Sequence, residues 1–442
     1  MSRPNHLPIA ALSLSPWFLL CLLSLPGCSE PSDPPGITTS LVNEVQDAPS
    51  VEVRAEDWPW WRGPTFNGKS VEQEVPLKWD ENTNVVWKSP VPGRGHSTPA
   101  VWGERLFLST AENDSQSLLC YDRRTGAPLW SQPIHTGNFQ HTHRKNSQAS
   151  ATPACDGQRV YVPFVNGEGV VLSATDLGGK ILWQKKLGDY ESEHGYGSSP
   201  VIHGNLVIVA GDSLRGSFIA GVERERGLVV WTINRKDGPS HGNYATPIVG
   251  KVAGRSQLLI PGKERVDAYD PLSGQLLWFA RGLSQVAANT VSFDGDLVYA
   301  SGGYPEKALL CIRADGEGDV TDSHVVWREK RAITYVPSPL AHNGRLYLVN
   351  DKGIASCYNS TTGERIWQER VDGQFTASPT LVGDHLYCPD EDGTTHVLKA
   401  ADQFEVVASN PLGDGIFASP VICGGQIFLR THQHLYCIGK KG

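Results

Sequence analysis

The chain has 442 residues, enough for two or three ordinary domains, yet only 19% are charged while Gly (46), Pro (30) and Trp (13) are abundant. That composition favours a turn-rich all-β protein over a helical one. A formal net charge of −8 leaves no general basic surface, so nucleic acid is not an expected partner.

Residues 1–28 stand apart. Arg3 is the only early basic residue, and the apolar run IAALSLSPWFLLCLLSL leads into Leu25-Pro26-Gly27-Cys28. A short apolar run before small residues marks an export signal rather than a membrane span. Its Leu-x-Gly-Cys ending resembles the bacterial lipobox. The resemblance implies that Cys28 becomes the lipidated first residue of the mature protein, with plain secretion or an uncleaved anchor as the alternatives. Ser29, rather than Asp, follows it, which by the sorting rule of such lipoproteins implies the outer membrane facing the periplasm. Residues 29–56, rich in Pro, Ser and acidic side chains, are expected as a disordered tether. Residues 57–78 form a strap that opens on DWPWWRGPTFNG, too aromatic to be linker. It is expected to pack under the domain, with a Trp-rich ligand cradle as the second reading.

The remainder, residues 79–442, repeats one unit. In Ser97 to Trp130 it reads as a Ser/Thr-Pro opening, a Gly turn at Gly103 between two apolar runs, a third run into Arg123-Arg124-Thr125-Gly126, and a closing Trp. Pro99 fixes φ where no ladder donor is needed, and each Gly turn joins antiparallel strands. Openings recur at Pro99, Pro153, Pro200, Pro247, Pro339, Pro379 and Pro420, with an altered one at Asn289-Thr290-Val291. Spacings between Pro residues of adjacent units run from 40 (Pro339 to Pro379) to 54 (Pro99 to Pro153), right for four short strands per blade. Closing aromatics fall at Trp130, Trp183, Trp231, Trp278, Trp327 and Trp367, and Phe404-Glu405-Val406-Val407 takes the place in the seventh unit. The eighth unit stops after three strands, at Leu435-Tyr436-Cys437-Ile438. Asn84-Val85-Val86-Trp87, ahead of the first opening, matches the missing fourth strand. The expected fold is an all-β, eight-bladed β-propeller of four-stranded antiparallel blades, closed by the N-terminal strand completing the C-terminal blade.

The run Tyr269-Asp270-Pro271-Leu272-Ser273-Gly274-Gln275-Leu276-Leu277-Trp278 resembles the tryptophan-docking repeat of the PQQ-like propeller superfamily. That superfamily includes quinoprotein alcohol dehydrogenases and BamB-type lipoproteins of the outer-membrane barrel-assembly machinery. The resemblance covers roughly residues 79–440. WPWWRGP, with Gly318-Asp319-Val320-Thr321 and Val325-Val326-Trp327, further resembles a set of such repeat proteins from planctomycete-type bacteria. Repeats of this kind imply fold far more strongly than function.

Nine cysteines in an exported chain raise the question of disulfides. Aligned third strands place Cys120, Cys311, Cys357 and Cys437 in one slot, which holds Ser173, Gly221 and Ala268 elsewhere. A slot shared by Cys, Ser, Gly and Ala is a tight packing place beside a docking Trp, where Cys acts as a small hydrophobe. Cys155, Cys388 and Cys423 have no obvious partner. The quinoprotein resemblance would imply PQQ, a Ca²⁺ site from Glu, Asn and Asp, a catalytic Asp, a cationic group near the quinone and a vicinal Cys-Cys pair. No cluster here matches that set.

Polar and aromatic residues gather just before the openings: His96, His141, His143, His194, Tyr196, His241, Tyr244, Asn289, Tyr335, Phe375 and Phe417. These connections run from an outer strand to the next inner strand, so they are expected to share one face around the central channel. They form either a funnel for a peptide, a sugar or a metal ion, or a merely solvated loop-rich face. No tight His-x-x-x-His spacing supports a metal site. Asp315-Gly-Glu317-Gly-Asp319 loosely follows a calcium loop but lacks its closing Glu and reads as a solvated hairpin turn.

The leading expectation is a non-catalytic, membrane-tethered, monomeric propeller that binds envelope proteins or peptides, with no cofactor and no metal. The alternative is a periplasmic PQQ-dependent or sugar/alcohol oxidoreductase. A regulatory sensor domain is the third.

Overall fold

The computed structural model describes residues 51–440 except Gln73, Arg215, residues 236–241 and Ala332. The signal segment, Cys28, most of the tether and His241 therefore lie outside the described residues. Each Pro-opened unit becomes one antiparallel sheet whose first strand is short, as Ala100–Trp102 in blade 1. Blades 1 to 7 span residues 100–136, 154–188, 201–234, 248–281, 292–329, 340–370 and 380–411. Blade 8 takes three strands from residues 421–438 and its fourth from Val85–Pro90. That fourth strand pairs antiparallel with His434–Ile438, Trp87 opposite Cys437 and Pro90 opposite His434. Eight sheets close into a ring, which leaves no blade without two neighbours. First strands of adjacent blades face one another around the central channel.

The Ser/Thr of each opening has a role beyond starting a strand. Thr98 N donates to Thr152 Oγ1 (3.0 Å), Thr152 N to Ser199 Oγ (2.9 Å) and Ser199 N to Thr246 Oγ1 (2.9 Å). Thr290 N donates to Ser338 Oγ (3.1 Å), Ser338 N to Ser378 Oγ (2.9 Å) and Ser378 N to Ser419 Oγ (2.9 Å). Between Thr246 and Thr290 the link is Thr290 Oγ1 to Thr246 O, 2.9 Å. A hydrogen-bonded chain of hydroxyls thus runs blade to blade around the channel, satisfying buried amides that no strand pairs. The altered opening at Thr290 keeps its place in it.

On the outside, the closing Trp of five blades hydrogen-bonds a backbone carbonyl of the next. Trp87 Nε1 donates to Arg123 O (3.0 Å), Trp130 to Leu177 O (3.1 Å), Trp183 to Arg224 O (3.2 Å), Trp327 to Ser360 O (3.0 Å) and Trp367 to Ala401 O (2.9 Å). The turn that receives the Trp needs Gly. Gly126 sits at φ +73°, and a Cβ there would lie 2.6 Å from the Trp87 ring. Opposite the docking Trp, the third strand carries Cys120, Ala174, Gly221, Ala268, Cys311, Cys357 or Cys437. Ala174, not Ser173, faces Trp183: it stands two residues before Asp176, as Cys120 stands two before Asp122, and the register slips just after it as in the other blades. The seven described cysteines are all buried and none forms a disulfide. Burial pushes the Cys120 thiol up to about 12, as expected of a packing residue.

Two junctions depart from the repeat. In blade 5 the connection before the last strand is long, and Gly318–Asp319 adds a parallel fifth strand to blade 4, opposite Trp278 and Phe279. The Asp315–Asp319 run is thus more than a solvated turn: it covers the outer edge of blade 4. Trp278 is fully buried there and bonds Gln257 Oε1 at 2.6 Å. In blade 7 the outer strand has no Trp. Trp79 comes instead from ahead of the repeats, stacking on Tyr387, with its amide bonded to Asn410 Oδ1 at 3.0 Å.

The strap crosses one end of the channel. Trp58 and Val101 exchange backbone hydrogen bonds of 3.0 and 2.8 Å, Pro59 O accepts from Cys155 N, and Gly68 O accepts from Leu381 N, each at 2.8 Å. Inner strands of blades 1, 2 and 7 are therefore extended by this chain itself. Arg62, buried, donates to Pro379 O (3.2 Å) and Pro339 O (3.1 Å) from inside the ring. Burial without a carboxylate partner lowers its pKa to about 10, still cationic at neutral pH. Val51 and Val53, within the stretch expected as tether, pack against the core beside the strap.

Candidate functional site

Closing one end of the channel leaves a blind cavity of about 400 Å³ that opens on the face carrying the blade-to-blade connections. Its floor holds Trp61 from the strap and hydroxyls of the ring, among them Ser199, Thr246, Ser338 and Ser419.

Three groups make the walls. His143 and His194 stack with centroids 5.2 Å apart, and His194 Nδ1 lies 3.3 Å from Tyr244 Oη. Their loops are fixed by His143 N donating to His194 O (3.3 Å) and Asn146 Nδ2 donating to the same carbonyl (2.7 Å). Across the cavity, His96 stacks on Phe417 at 4.9 Å and 19°. Burial, then the nearby Arg430 and Arg94 charges, push the His96 pKa down to about 3, so the ring is neutral at pH 7. Its Nε2 is buried with no hydrogen-bond partner. Arg430 is fully buried and donates to Ser97 Oγ (2.6 Å), Ser97 O (3.2 Å) and Ser109 O (2.7 Å). The third wall is Tyr335, Val336 and Asp351, whose carboxylate accepts from Tyr335 N (3.0 Å) and Val336 N (3.1 Å). Burial raises the Asp351 pKa.

A brace spans the mouth. Lys145, on the connection between blades 1 and 2, reaches Glu391 of blade 7 at 2.8 Å and Gln374 Oε1 at 3.2 Å. Thr376 Oγ1 also donates to Glu391 (2.7 Å). Beneath it, Asp390 caps its own turn through Asp392 N (3.0 Å) and Thr394 N (2.8 Å), and it bonds His396 Nε2 at 3.2 Å. His396 Nδ1 meets Ser409 Oγ at 3.0 Å. In this Ser-His-Asp chain Asp390 and His396 are buried in blade 7 while Ser409 is exposed on its outer strand, and the chain steadies the turn bearing Glu391.

Of the residues expected on this face, His96, His143, His194, Tyr244, Tyr335 and Phe417 line the cavity together. Tyr196 lies behind it, buried, with its hydroxyl donating to Ala210 O (3.0 Å). Asn289 is buried too and clamps the next connection through Tyr335 O (3.0 Å). Phe375 packs into the core beside His396. Sequence reasoning missed Lys145, Asp351 and the ring hydroxyls, and reached Trp61 only through the second reading of the strap, a Trp-rich ligand cradle. The hydroxyls had a signal, a Ser or Thr in every opening, but one unit alone gives it no partner.

The superfamily resemblance implies PQQ and Ca²⁺, which need more acidic ligands than this cavity offers. Among the described residues Asp351 is the only lining carboxylate, where that pair calls for a Glu and an Asp on Ca²⁺ and a catalytic Asp besides. No described group of three His, Cys, Asp or Glu side chains could hold a metal ion, and the described cysteines are packed inside the blades. These residues do not fit that cofactor pair.

A protein-family model described as "Outer membrane protein assembly factor BamB" matches residues 76–189, 114–321 and 318–404. The chain is similar to the outer membrane protein assembly factor BamB of Burkholderia pseudomallei (strain K96243), 24% identical over 361 residues, 79% of this chain and 85% of that one. It is also similar to BamB of Legionella pneumophila (strain Paris), 26% identical over 177 residues, 38% of this chain and 44% of that relative. The crystal structure of BamB from Moraxella catarrhalis shares the fold, with a TM-score of 0.60 at 16% identity, covering 80% of this chain and 99% of that chain.

Proposed function

The chain belongs to the family of outer membrane protein assembly factor BamB, and on that premise we propose that it is a non-catalytic scaffold of the bacterial cell envelope. Its body is tethered to the outer membrane through lipidated Cys28 and the segment after it, and it faces the periplasm. Partner proteins or extended peptide segments dock on the face that surrounds the blind cavity. One observation carries this reading: the connections that differ from blade to blade meet on that face and are braced across it by Lys145 and Glu391. A rigid ring presenting variable loops is a platform for recognition. The opposite end, where strap segments already pair with inner strands, is occupied by the chain itself.

The test is capture from detergent-solubilised envelopes with the full-length chain as bait. Proteins of the outer-membrane assembly machinery should be recovered by the native chain and lost with the double variant Lys145→Glu, Tyr335→Ala. Equal recovery by both, or recovery of none, would overturn the reading.

A further inference from the structure

We propose that the blind cavity is a saccharide-binding site, independent of whether the face around it also holds protein partners. Four observations converge on that ligand class.

Size comes first. About 400 Å³ lies at the small end of the range for small-molecule sites, roughly 300–1,000 Å³, and suits one or two sugar rings better than a folded peptide segment.

The floor is made of donors. Ser199, Thr246, Ser338 and Ser419 each use their side-chain oxygen to accept a neighbour's backbone N–H. A hydroxyl has one proton and two lone pairs, so an oxygen already accepting is set up to donate. Ser338 Oγ also accepts from Ser378 Oγ at 3.1 Å, so both its lone pairs are taken and its proton alone is left to offer. Trp61 adds an indole N–H that is buried without a partner.

The wall supplies the opposite polarity. Asp351 is a buried carboxylate with lone pairs to spare beyond its two amide bonds. A carboxylate in the wall opposes an anionic ligand, while the donor floor requires acceptors. Groups that accept at one end and donate at the other are hydroxyls, and a ligand carrying several of them on a compact frame is a sugar.

Aromatic faces complete the set. Trp61, Tyr244, Tyr335 and the stacked Phe417–His96 pair offer flat apolar surfaces with polar tips. A pyranose ring presents C–H faces to such surfaces and hydroxyls to the rim.

Gly197 makes the test clean. It lines the cavity, and a Cβ built on it meets nothing nearer than Tyr244 O at 4.0 Å. Gly197→Leu should therefore fill the cavity without disturbing the fold, which circular dichroism and the unfolding curve would verify. Saturation-transfer NMR on the full chain would use glucose, N-acetylglucosamine and chitobiose as probes, with acetate and the tripeptide Ala-Ala-Phe as comparators. The expected result is transfer to pyranose ring protons at about millimolar affinity, lost in Gly197→Leu and weakened about tenfold or more in Tyr335→Leu. A preference for chitobiose would mark a glycan chain as the source, and equal response a free sugar. No saccharide signal on the native chain, an unchanged signal in Gly197→Leu, or a stronger cavity signal from acetate or the tripeptide would overturn the proposal. Partner capture is scored separately on Gly197→Leu, so losing sugar while keeping partners leaves the scaffold reading standing.

Discussion

Trp79 lies flat on Tyr387, with ring centroids 6.1 Å apart and planes 9° from parallel. In five other blades the docking Trp meets an aromatic of the second strand at a similar distance but tilted by 35° to 43°: Phe107 with Trp130, Tyr161 with Trp183, Tyr299 with Trp327, Tyr347 with Trp367 and Phe428 with Trp87, at 6.0 to 6.4 Å. Blade 7 has kept the receiving aromatic and lost its own Trp, and a residue from before the repeats fills the gap. Trp79 also joins Ile422, Ile427 and Ile438 of blade 8 in one buried cluster. It therefore seals the junction between the last two blades.

Trp79→Ala should cost about 3–5 kcal/mol, the usual range for removing a buried large aromatic. Chemical denaturation would measure it, and hydrogen exchange should place the loosened amides in blades 7 and 8. Phe404→Ala, at the position expected from the sequence to replace the Trp, should cost less, since Phe404 is only partly buried against Trp367.

Ring closure gives a second test. Trp87 bonds Arg123 O of blade 1 while its strand completes blade 8. Deleting residues 79–90 removes both links and leaves the edge of His434–Ile438 unpaired, so thermal unfolding should start in blade 8 at a clearly lower temperature. An unchanged unfolding curve would contradict the closure.

The propeller was legible because its signals recur: a Pro opening, a Gly turn and a closing Trp leave few alternatives once they repeat at blade spacing. The eighth blade was legible from what it lacked. What escaped is what one repeat cannot show. The hydroxyl ring needs the next blade before Thr98 has any partner. Trp79 sits over three hundred positions from the Tyr387 it covers, and nothing in its own neighbourhood marks it as a replacement. Ser173 was misaligned by one: counted back from Asp176, as Cys120 is from Asp122, the slot falls on Ala174, which pairs with Trp183. Gly318–Asp319 has turn composition yet forms a strand, since its pairing partner belongs to the preceding blade. At the cavity, imidazole and aromatic residues before each Pro were visible as a class. Tyr196, Asn289 and Phe375 share that position but turn inward to backbone or core, a choice that packing makes and spacing does not.

Acid stability reports on His96. Its folded pKa of about 3 lies below the usual 6.5, so the unfolded chain binds a proton in that window while the folded chain does not. Stability should therefore fall as pH drops from 6.5 toward 3. His96→Phe, which can keep the stack on Phe417, should remove part of that loss. The measurement is the unfolding midpoint of both chains across this range, and parallel curves would contradict the assignment.

Membrane attachment is tested at Cys28. Cys28→Ser should move the protein from the membrane pellet to the soluble envelope fraction. Continued sedimentation with membranes would rule out the lipid tether.

The most direct measurement places a benzophenone amino acid at position 145, on the rim of the cavity, or at position 124, on an exposed turn at the opposite end of the ring. After irradiation in cells, cross-links to outer-membrane assembly proteins should form from position 145 and not from position 124. Cross-links from neither position, or equally from both, would contradict a scaffold that recognises partners on its cavity face.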